Sequence, residues 1–147
     1  METDTILTDD PFNLRRFVSA QEDAFAQALL EVQSGQKRTH WMWYIFPQIR
    51  GLGHSFMSQK YSISGIPEAQ AYLDHPILGH RLILISEAVM SVKHRSAQDI
   101  FGAVDEKKLK SCATLFAHAP NSHPVFNQII SKYFEGFYDQ ATIELLR

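Results

Sequence analysis

The spacing of apolar residues after Pro76 constrains the fold of this chain more than any other feature of its sequence. Leucine, isoleucine and valine recur there every three or four positions, which places them along one face of a helix. Pro76 suits the first turn of that helix, because the N–H groups of a first turn have no partner within the helix. Pro67 and Pro124 precede similar patterns. The recurring residues are Leu78, Leu82, Ile85, Val89 and Val92. The sequence therefore predicts an all-α fold.

Capping residues predict where the first helices begin. Asp10 followed by a proline predicts a helix start and a short helix over Phe12–Val18. A capping box at Ser19–Glu22 then predicts the start of a second helix, which ends at Gly35. An uninterrupted helix over Pro11–Ser34 is the alternative.

Similar signals continue along the chain. A capping box at Ser96–Asp99 and cap residues at Asp105 and Asp139 predict three further helices. Ser55 is predicted to cap a short turn toward Lys60. Hydrophobic residues make up 45% of the chain, which is enough apolar surface to form a core. The connections are short and leave no room for a second domain. We therefore predict a flexible N-terminal tail at residues 1–9 and a compact single-domain bundle of about six to eight short helices at residues 10–147.

The run Trp41–Phe46 contains six large side chains, more than one face of a short segment can bury. Its composition suits a β-strand, but a lone strand leaves its backbone hydrogen bonds unmade, and no partner strand is evident. We therefore predict a short helix, capped near Thr39 and ended by Pro47. Most of its side chains fit a core, whereas His40 and Trp43 fall on other faces. Those two are candidates to line a cleft and stack on a base, a sugar or a cation.

The net charge of −2 argues against binding of double-stranded nucleic acid, which favours a strongly basic face. The positive charges concentrate in residues 31–60, where four basic side chains oppose Glu31 alone. This segment predicts local attraction of a small anionic ligand, although solvated faces and chance explain the same distribution. The four are Lys37, Arg38, Arg50 and Lys60.

Cys112 is the only cysteine, so an internal disulfide is impossible, and its place in a helical pattern predicts a small buried side chain. The seven histidines include no His-Glu-x-x-His motif, and we predict no metal site and no cofactor. The chain opens without a secretory signal, and its longest apolar run is too short to cross a membrane. We therefore expect a cytoplasmic protein that does not bind membranes.

The motif Gly51–Ser55 is a second candidate for ligand binding. Its glycines would let the backbone approach a ligand, and a following helix start would offer N–H groups to an anion. A structural tight turn explains the same glycines. Asp105 and Lys108 lie on the same face of a predicted helix. They could form a polar patch beside a pocket, or Asp105 could be a helix cap and Lys108 a solvated lysine. The complete predicted ligand-binding set is His40, Trp43, Gln48, Arg50, Gly51, Gly53, Ser55, Arg81, Asp105 and Lys108.

Several motifs are long enough to be specific. The most specific is Thr39–Gln48, followed by Gly51–Gly53, Ile100–Gly102 and Thr114–Phe116. Together they resemble a bacterial family of uncharacterised proteins, domain-of-unknown-function family 1810, over Asp10 to Leu146. The resemblance implies a mostly α-helical domain and no established activity. Some members carry the label calpastatin, but calpain inhibitors of that name are long and disordered, whereas this chain has a patterned core.

Three functions follow from these residues. The first is binding of an anionic or nucleotide-like small molecule in a cleft around His40–Ser55, with or without catalysis. In an enzyme, His40 or His54 would be the general acid–base, because histidine titrates near neutral pH. The alternative is a non-catalytic protein-interaction module, which would expose an apolar patch. Single-stranded nucleic acid, stacked on aromatic rings beside Arg50 and Lys60, fits the net charge least well.

Overall fold

The computed structural model describes residues 9–147, so the predicted N-terminal tail lies outside the described part except for Asp9. Within residues 9–147 the chain forms helices and no strand, which confirms the predicted all-α fold. The ten helices are α1 (Arg15–Glu22), α2 (Phe25–Gln33), α3 (Met42–Ile45), α4 (Phe56–Lys60), α5 (Ile66–Asp74), α6 (Leu78–Ser91), α7 (Ala97–Phe101), α8 (Ala103–Ala117), α9 (Pro124–Phe134) and α10 (Gln140–Leu146). Helices α3, α4 and α7 contain only four or five residues each. These short helices explain why the described residues form more helices than the six to eight that were predicted.

Helix α6 lies at the centre of the bundle. It packs against α2, α5 and α9, and the apolar residues predicted for its inner face are all buried. Gly79 of α6 approaches the backbone carbonyl of Leu73 in α5 so closely that a Cβ at this position would overlap the carbonyl oxygen. The contact between α5 and α6 therefore requires glycine at this position, since any side chain would push the helices apart.

The first two helices begin later than the sequence predicts. Asp10 is not the N-cap of α1, because Leu14 occupies that position and makes no side-chain cap. The Asp10 carboxylate accepts hydrogen bonds from the backbone N–H groups of Leu14 (2.7 Å) and Arg15 (3.1 Å), so it supports the start of the helix from four residues upstream. The predicted capping box at Ser19–Glu22 is wrong, because Ser19 lies inside α1 and is exposed. The alternative of an uninterrupted helix is also wrong, because the helical conformation is interrupted at Asp23 and Ala24, between α1 and α2.

The aromatic run forms helix α3 rather than a strand, as predicted. Trp43 and Tyr44 of this helix are half-buried, and the helix starts after Trp41 rather than at Thr39. The fully buried side chains of the run are Trp41, Met42, Ile45 and Phe46. This four-residue helix therefore fixes the core mainly through side chains that flank it on both sides.

Three of the remaining predicted caps are confirmed. Ser55 and Asp139 each accept a backbone hydrogen bond at the start of α4 and α10, and Ser96–Asp99 forms a reciprocal capping box at the start of α7. The predicted cap at Asp105 is wrong. Helix α8 begins two residues earlier, at Ala103, and the Asp105 carboxylate forms ion pairs with lysines instead.

The buried hydrophobic residues form one cluster, and Cys112 is part of it at 1% exposure, as predicted. Burial raises the pKa of its thiol well above the usual range, so this cysteine is a packing residue and not a nucleophile. None of the helices in residues 9–147 has the length and hydrophobicity needed to span a membrane.

Candidate functional site

A pocket of about 350 Å³ lies between the turn before α1, the segment that follows α3, and the start of α5. Three of its lining side chains are basic and one is acidic. The side chains that determine its chemistry are Arg16, Arg50, Lys60, Ser64 and Glu68.

Arg16 forms the floor of this pocket and is fully hydrogen-bonded. Its guanidinium makes five hydrogen bonds, which is the full number of donors that an arginine carries. Four go to backbone carbonyls, of Phe12, Asn13, Lys60 and Ser62, and the fifth joins its Nη2 to the Glu68 carboxylate at 2.8 Å. Arg16 therefore joins three chain segments and has no donor left for a ligand.

Glu68 is the acidic partner and is equally committed. It is 2% exposed, and one carboxylate oxygen accepts hydrogen bonds from the backbone N–H (2.9 Å) and the hydroxyl (2.8 Å) of Ser64. The other oxygen binds Arg16. The acidic group in the pocket is thus neutralised by its own surroundings, and it does not offset the charge of the remaining cations.

Arg50 and Lys60 form the rim of the pocket, and both are exposed. The backbone of Arg50 is held by a parallel bridge between Ile49 and Ile63, in which the Arg50 N–H donates to the Ile63 carbonyl at 2.8 Å. Among the described residues its side chain makes one hydrogen bond, from Nε to the Ser62 hydroxyl at 3.3 Å. Within residues 9–147, neither rim cation forms an ion pair with a carboxylate.

A second group of predicted residues meets on another part of the surface. Asp105 binds Lys37 at 2.9 Å and Lys108 at 3.7 Å, and the Lys108 ammonium lies 5.4 Å from the centre of the Trp43 ring. Lys37 also donates to the Thr39 carbonyl at 2.6 Å. These contacts tie the loop before α3 to α8, so the cations here already have partners.

Glu31 organises the same loop from the other side. Its carboxylate accepts hydrogen bonds from the N–H groups of Arg38 and Thr39, the Thr39 hydroxyl, the Gln27 amide and the indole N–H of Trp41. Burial alone raises the pKa of Glu31, but these hydrogen bonds outweigh it and lower the pKa to about 2. Glu31 is therefore ionised at neutral pH and holds the loop in place.

The glycines of the predicted ligand loop have structural roles. Gly51 has a φ of +108° and packs against the side chain of Leu145 in α10. A Cβ at Gly53 would lie 2.5 Å from the Cβ of Ser58. Ser55 uses its hydroxyl to cap α4, where it accepts the Ser58 N–H at 3.1 Å. These contacts agree with a tight turn, the structural interpretation of the motif.

The remaining predicted residues lie apart from the pocket. His40 is exposed and Gln48 is half-buried. Arg81 donates to the Gln21 side chain at 3.3 Å and lies over the Phe25 ring. Of the ten predicted ligand-binding residues, the structure therefore brings Arg50 to the pocket and groups Trp43, Asp105 and Lys108 elsewhere.

Arg16, Glu31 and Glu68 are not among the residues predicted to form a site. For Glu31 a signal was present, because a carboxylate between Ala28 and Val32 lies on the buried face of α2. No comparable signal marks Arg16. Apart from the carbonyls in the turn before α1, its hydrogen-bond partners come from residues 60–68, which are distant in the sequence. Within residues 9–147 no group of three or more potential metal ligands occurs.

A larger groove of about 710 Å³ lies on the other side of the same turn. Its floor is apolar and includes Phe12, Val18 and Ile77, and aspartates such as Asp74 lie at its edge. The Phe12 turn separates it from the cationic pocket, so the two concavities differ in both polarity and charge.

Comparison with known proteins places the chain in a family without assigning an activity. A family model described as "Protein of unknown function (DUF1810)" matches residues 11–146. The fold is similar to the crystal structure of the conserved hypothetical protein Rv1873 from Mycobacterium tuberculosis, with 46% sequence identity, a TM-score of 0.91, and coverage of 93% of this chain and 98% of that chain. No curated protein matches the chain. The chain therefore belongs to the DUF1810 family of proteins of unknown function.

Proposed function

We propose that the pocket formed by Arg16, Arg50, Lys60 and Glu68 binds a small anionic ligand. The observation that supports this proposal is an imbalance of charge at one concave site. The pocket's carboxylate is fully hydrogen-bonded to Arg16 and Ser64, whereas Arg50 and Lys60 have no acidic partner among residues 9–147. An anion in the pocket would supply that partner.

The two rim cations suit different parts of such a ligand. Within residues 9–147 the two terminal nitrogens of Arg50 make no hydrogen bond, so they can bind two oxygens of a phosphate, sulfate or carboxylate at once. Lys60 adds a compact charge at the end of a flexible chain. Since the bridge at Ile49 and Ile63 and the clamp of Arg16 hold the backbone behind them, the ligand would bind to a largely preformed site.

The proposal is limited to binding. His40 and His54, the candidate acid–base residues, do not line the pocket. The protein-interaction hypothesis stays a prediction. It calls for one exposed apolar patch, whereas the exposed large hydrophobic residues belong to several elements, including α2, α4, α8 and α10.

Isothermal titration calorimetry at low ionic strength tests the proposal. The probes are inorganic phosphate, pyrophosphate and ribose 5-phosphate. We expect at least one probe to bind, and Arg50→Ala to weaken that binding roughly 10-fold or more, because a charge-assisted hydrogen bond contributes about 1.5–3 kcal/mol. Lys60→Ala should weaken binding less, since it removes a charge but no paired hydrogen bonds.

Arg38→Ala is the matched control. Arg38 is an exposed arginine in the same basic segment, and its side chain makes no hydrogen bond or ion pair within residues 9–147. It should leave probe affinity unchanged. The proposal fails if none of the three probes binds, or if Arg50→Ala and Arg38→Ala have equal affinity for the probe that does.

A further inference from the structure

The most exposed large hydrophobic side chain in the described part of the chain lies beside the cationic pocket. Phe56, at the start of α4, is 76% exposed. It lies four residues before Lys60, so the two side chains share one face of this short helix. The Lys60 ammonium lies 5.9 Å from the centre of the Phe56 ring and 5.4 Å from that of Tyr61.

Of these two rings, only that of Phe56 can receive a ligand. Tyr61 is 7% exposed and packs against the rings of Phe17 and Tyr44. Phe56 makes no aromatic contact with another ring within residues 9–147. The exposed Phe56 ring therefore lies next to Lys60, which lines the cationic pocket together with Arg50. Neither Lys60 nor Arg50 has an acidic partner within residues 9–147.

Other exposed hydrophobic residues lack this setting. Phe137 is 66% exposed and Val104 is 70% exposed, but neither lines the cationic pocket nor belongs to an element that contributes to it. Phe56 therefore differs from them in its neighbours and not in its exposure.

We propose that the ligand of this pocket is a nucleotide, with its phosphate held by Arg50 and Lys60 and its base stacked on Phe56. This inference rests on the proposed function and names its ligand class. A nucleotide carries a phosphate and a flat π-system one sugar apart, which matches a cation and an aromatic face supplied by neighbouring positions of one helix. A simple anion would leave the Phe56 ring exposed to water.

The stacking surface also predicts how selective the site is. Every base has a π-face, and a phenylalanine ring offers no hydrogen bond to a base edge. We therefore expect AMP and GMP to bind with similar affinity. Both should bind more tightly than UMP, because a purine covers more of the ring.

Calorimetric titration of the full chain with AMP, adenosine and ribose 5-phosphate tests the inference. We expect AMP to bind at least about 5-fold more tightly than ribose 5-phosphate, and adenosine to bind weakest, since base stacking contributes roughly 5- to 100-fold in affinity. Phe56→Ala should reduce AMP affinity to that of ribose 5-phosphate and leave ribose 5-phosphate unchanged. Phe56→Tyr, which keeps the ring, should retain AMP binding.

Phe137→Ala is the matched control, since it removes a similarly exposed phenylalanine outside the pocket. Circular dichroism and thermal unfolding of each variant establish that it is folded. If ribose 5-phosphate binds in an Arg50-dependent manner but AMP binds no more tightly, the nucleotide inference is wrong and anion binding stands. If no phosphate compound binds, both are wrong. If an oligoadenylate binds while AMP does not, the ligand is a single strand and the inference is overturned.

Discussion

The floor and the rim of the cationic pocket use arginine in opposite ways. On the floor, Arg16 is 13% exposed in its side chain and uses all five donors within the protein. On the rim, Arg50 is exposed and makes a single side-chain hydrogen bond within the described part of the chain, to Ser62. The two residues line the same pocket, yet only one of them has donors left for another molecule.

This difference separates a structural charge from a candidate binding charge. Burying an ion is costly unless it is fully hydrogen-bonded, so a saturated buried arginine is explained by the fold alone. Arg50 is exposed, its backbone is held by the Ile49–Ile63 bridge, and its side chain makes one hydrogen bond within residues 9–147, so the fold alone does not explain it. Floor variants should therefore affect stability, and rim variants should affect binding.

The largest expected effect is that of Arg16→Ala. Removing the guanidinium leaves the buried Glu68 carboxylate without its cation and removes a side-chain donor from four backbone carbonyls, of which that of Asn13 keeps the Arg16 backbone N–H. Breaking a buried ion pair in this way costs about 3–5 kcal/mol. Urea unfolding followed by circular dichroism measures the loss.

Arg15→Ala is the control for that experiment. Arg15 precedes Arg16 in the same helix, its side chain is 59% exposed, and its contact with Asp10 is long, at 3.8 Å. Its removal should cost less than about 0.5 kcal/mol. Equal losses from the two alanine variants would contradict the assignment of Arg16 to the floor.

Glu31 is a second buried charge that accepts several hydrogen bonds within the protein. Like Arg16 it should affect the stability of the fold, and its effect should depend on pH. Its pKa is about 2 in the folded chain against 4.5 as the ordinary value. Because the folded state binds its proton less readily than the unfolded state, the carboxylate stabilises the fold above about pH 4.5, and this contribution is lost as pH falls towards 2. Its loss amounts to no more than about 3 kcal/mol.

Urea titrations at several pH values, on the natural chain and on Glu31→Gln, isolate this effect. The glutamine variant cannot titrate at this position, so it should lose less stability between about pH 5 and pH 2. If both proteins lose the same stability over that interval, acid unfolding depends on other carboxylates.

Gly51→Ala tests whether the backbone positions the rim. Its φ of +108° is unfavourable for a residue with a Cβ, and the added methyl would press against Leu145. The cost should exceed about 1 kcal/mol, with a weaker affinity for phosphate because Arg50 is the preceding residue. Gly65→Ala is the control, since its nearest neighbour lies at an ordinary 3.8 Å. That variant should keep both stability and binding.

The smallest expected effect on stability is that of Arg50→Ala and Lys60→Ala. Both side chains are exposed and form no ion pair within residues 9–147, so each change should alter the free energy of unfolding by less than about 0.5 kcal/mol. Thermal unfolding without added anion measures this. A loss comparable to that of Arg16→Ala would mean that the rim, too, is part of the structural network.

Much of the fold was predictable because its signals are local. The inner face of α6 and the caps at Ser55, Ser96 and Asp139 depend on residues at most a few positions apart. The capping box predicted at Ser19–Glu22 failed because the same residues also fit a helix interior, and tertiary packing placed the break later. The predicted cap at Asp105 failed because a lysine from another segment binds its carboxylate.

The candidate site was predictable only in part. The amino-acid sequence alone indicated Arg50, the excess of positive charge around it, and Lys60 as a supporting cation. It gave no functional role to Phe56 and treated Trp43, Arg81 and Asp105 as members of one site. Exposure and pairing depend on which segments meet in space, and composition does not contain that information.

The sequence by itself determined that the chain is helical, where several of its helices start, and which family it belongs to. These properties follow from hydrogen bonds and apolar spacing within a few residues. Only the tertiary structure decided which charges are paired. The ion pair between Arg16 and Glu68 joins positions 52 residues apart and neutralises the carboxylate that lines the pocket. Within residues 9–147, Arg50 and Lys60 are then left as the pocket's unpaired charges. Electrostatic interactions act over a few ångströms in space, whatever the separation along the chain.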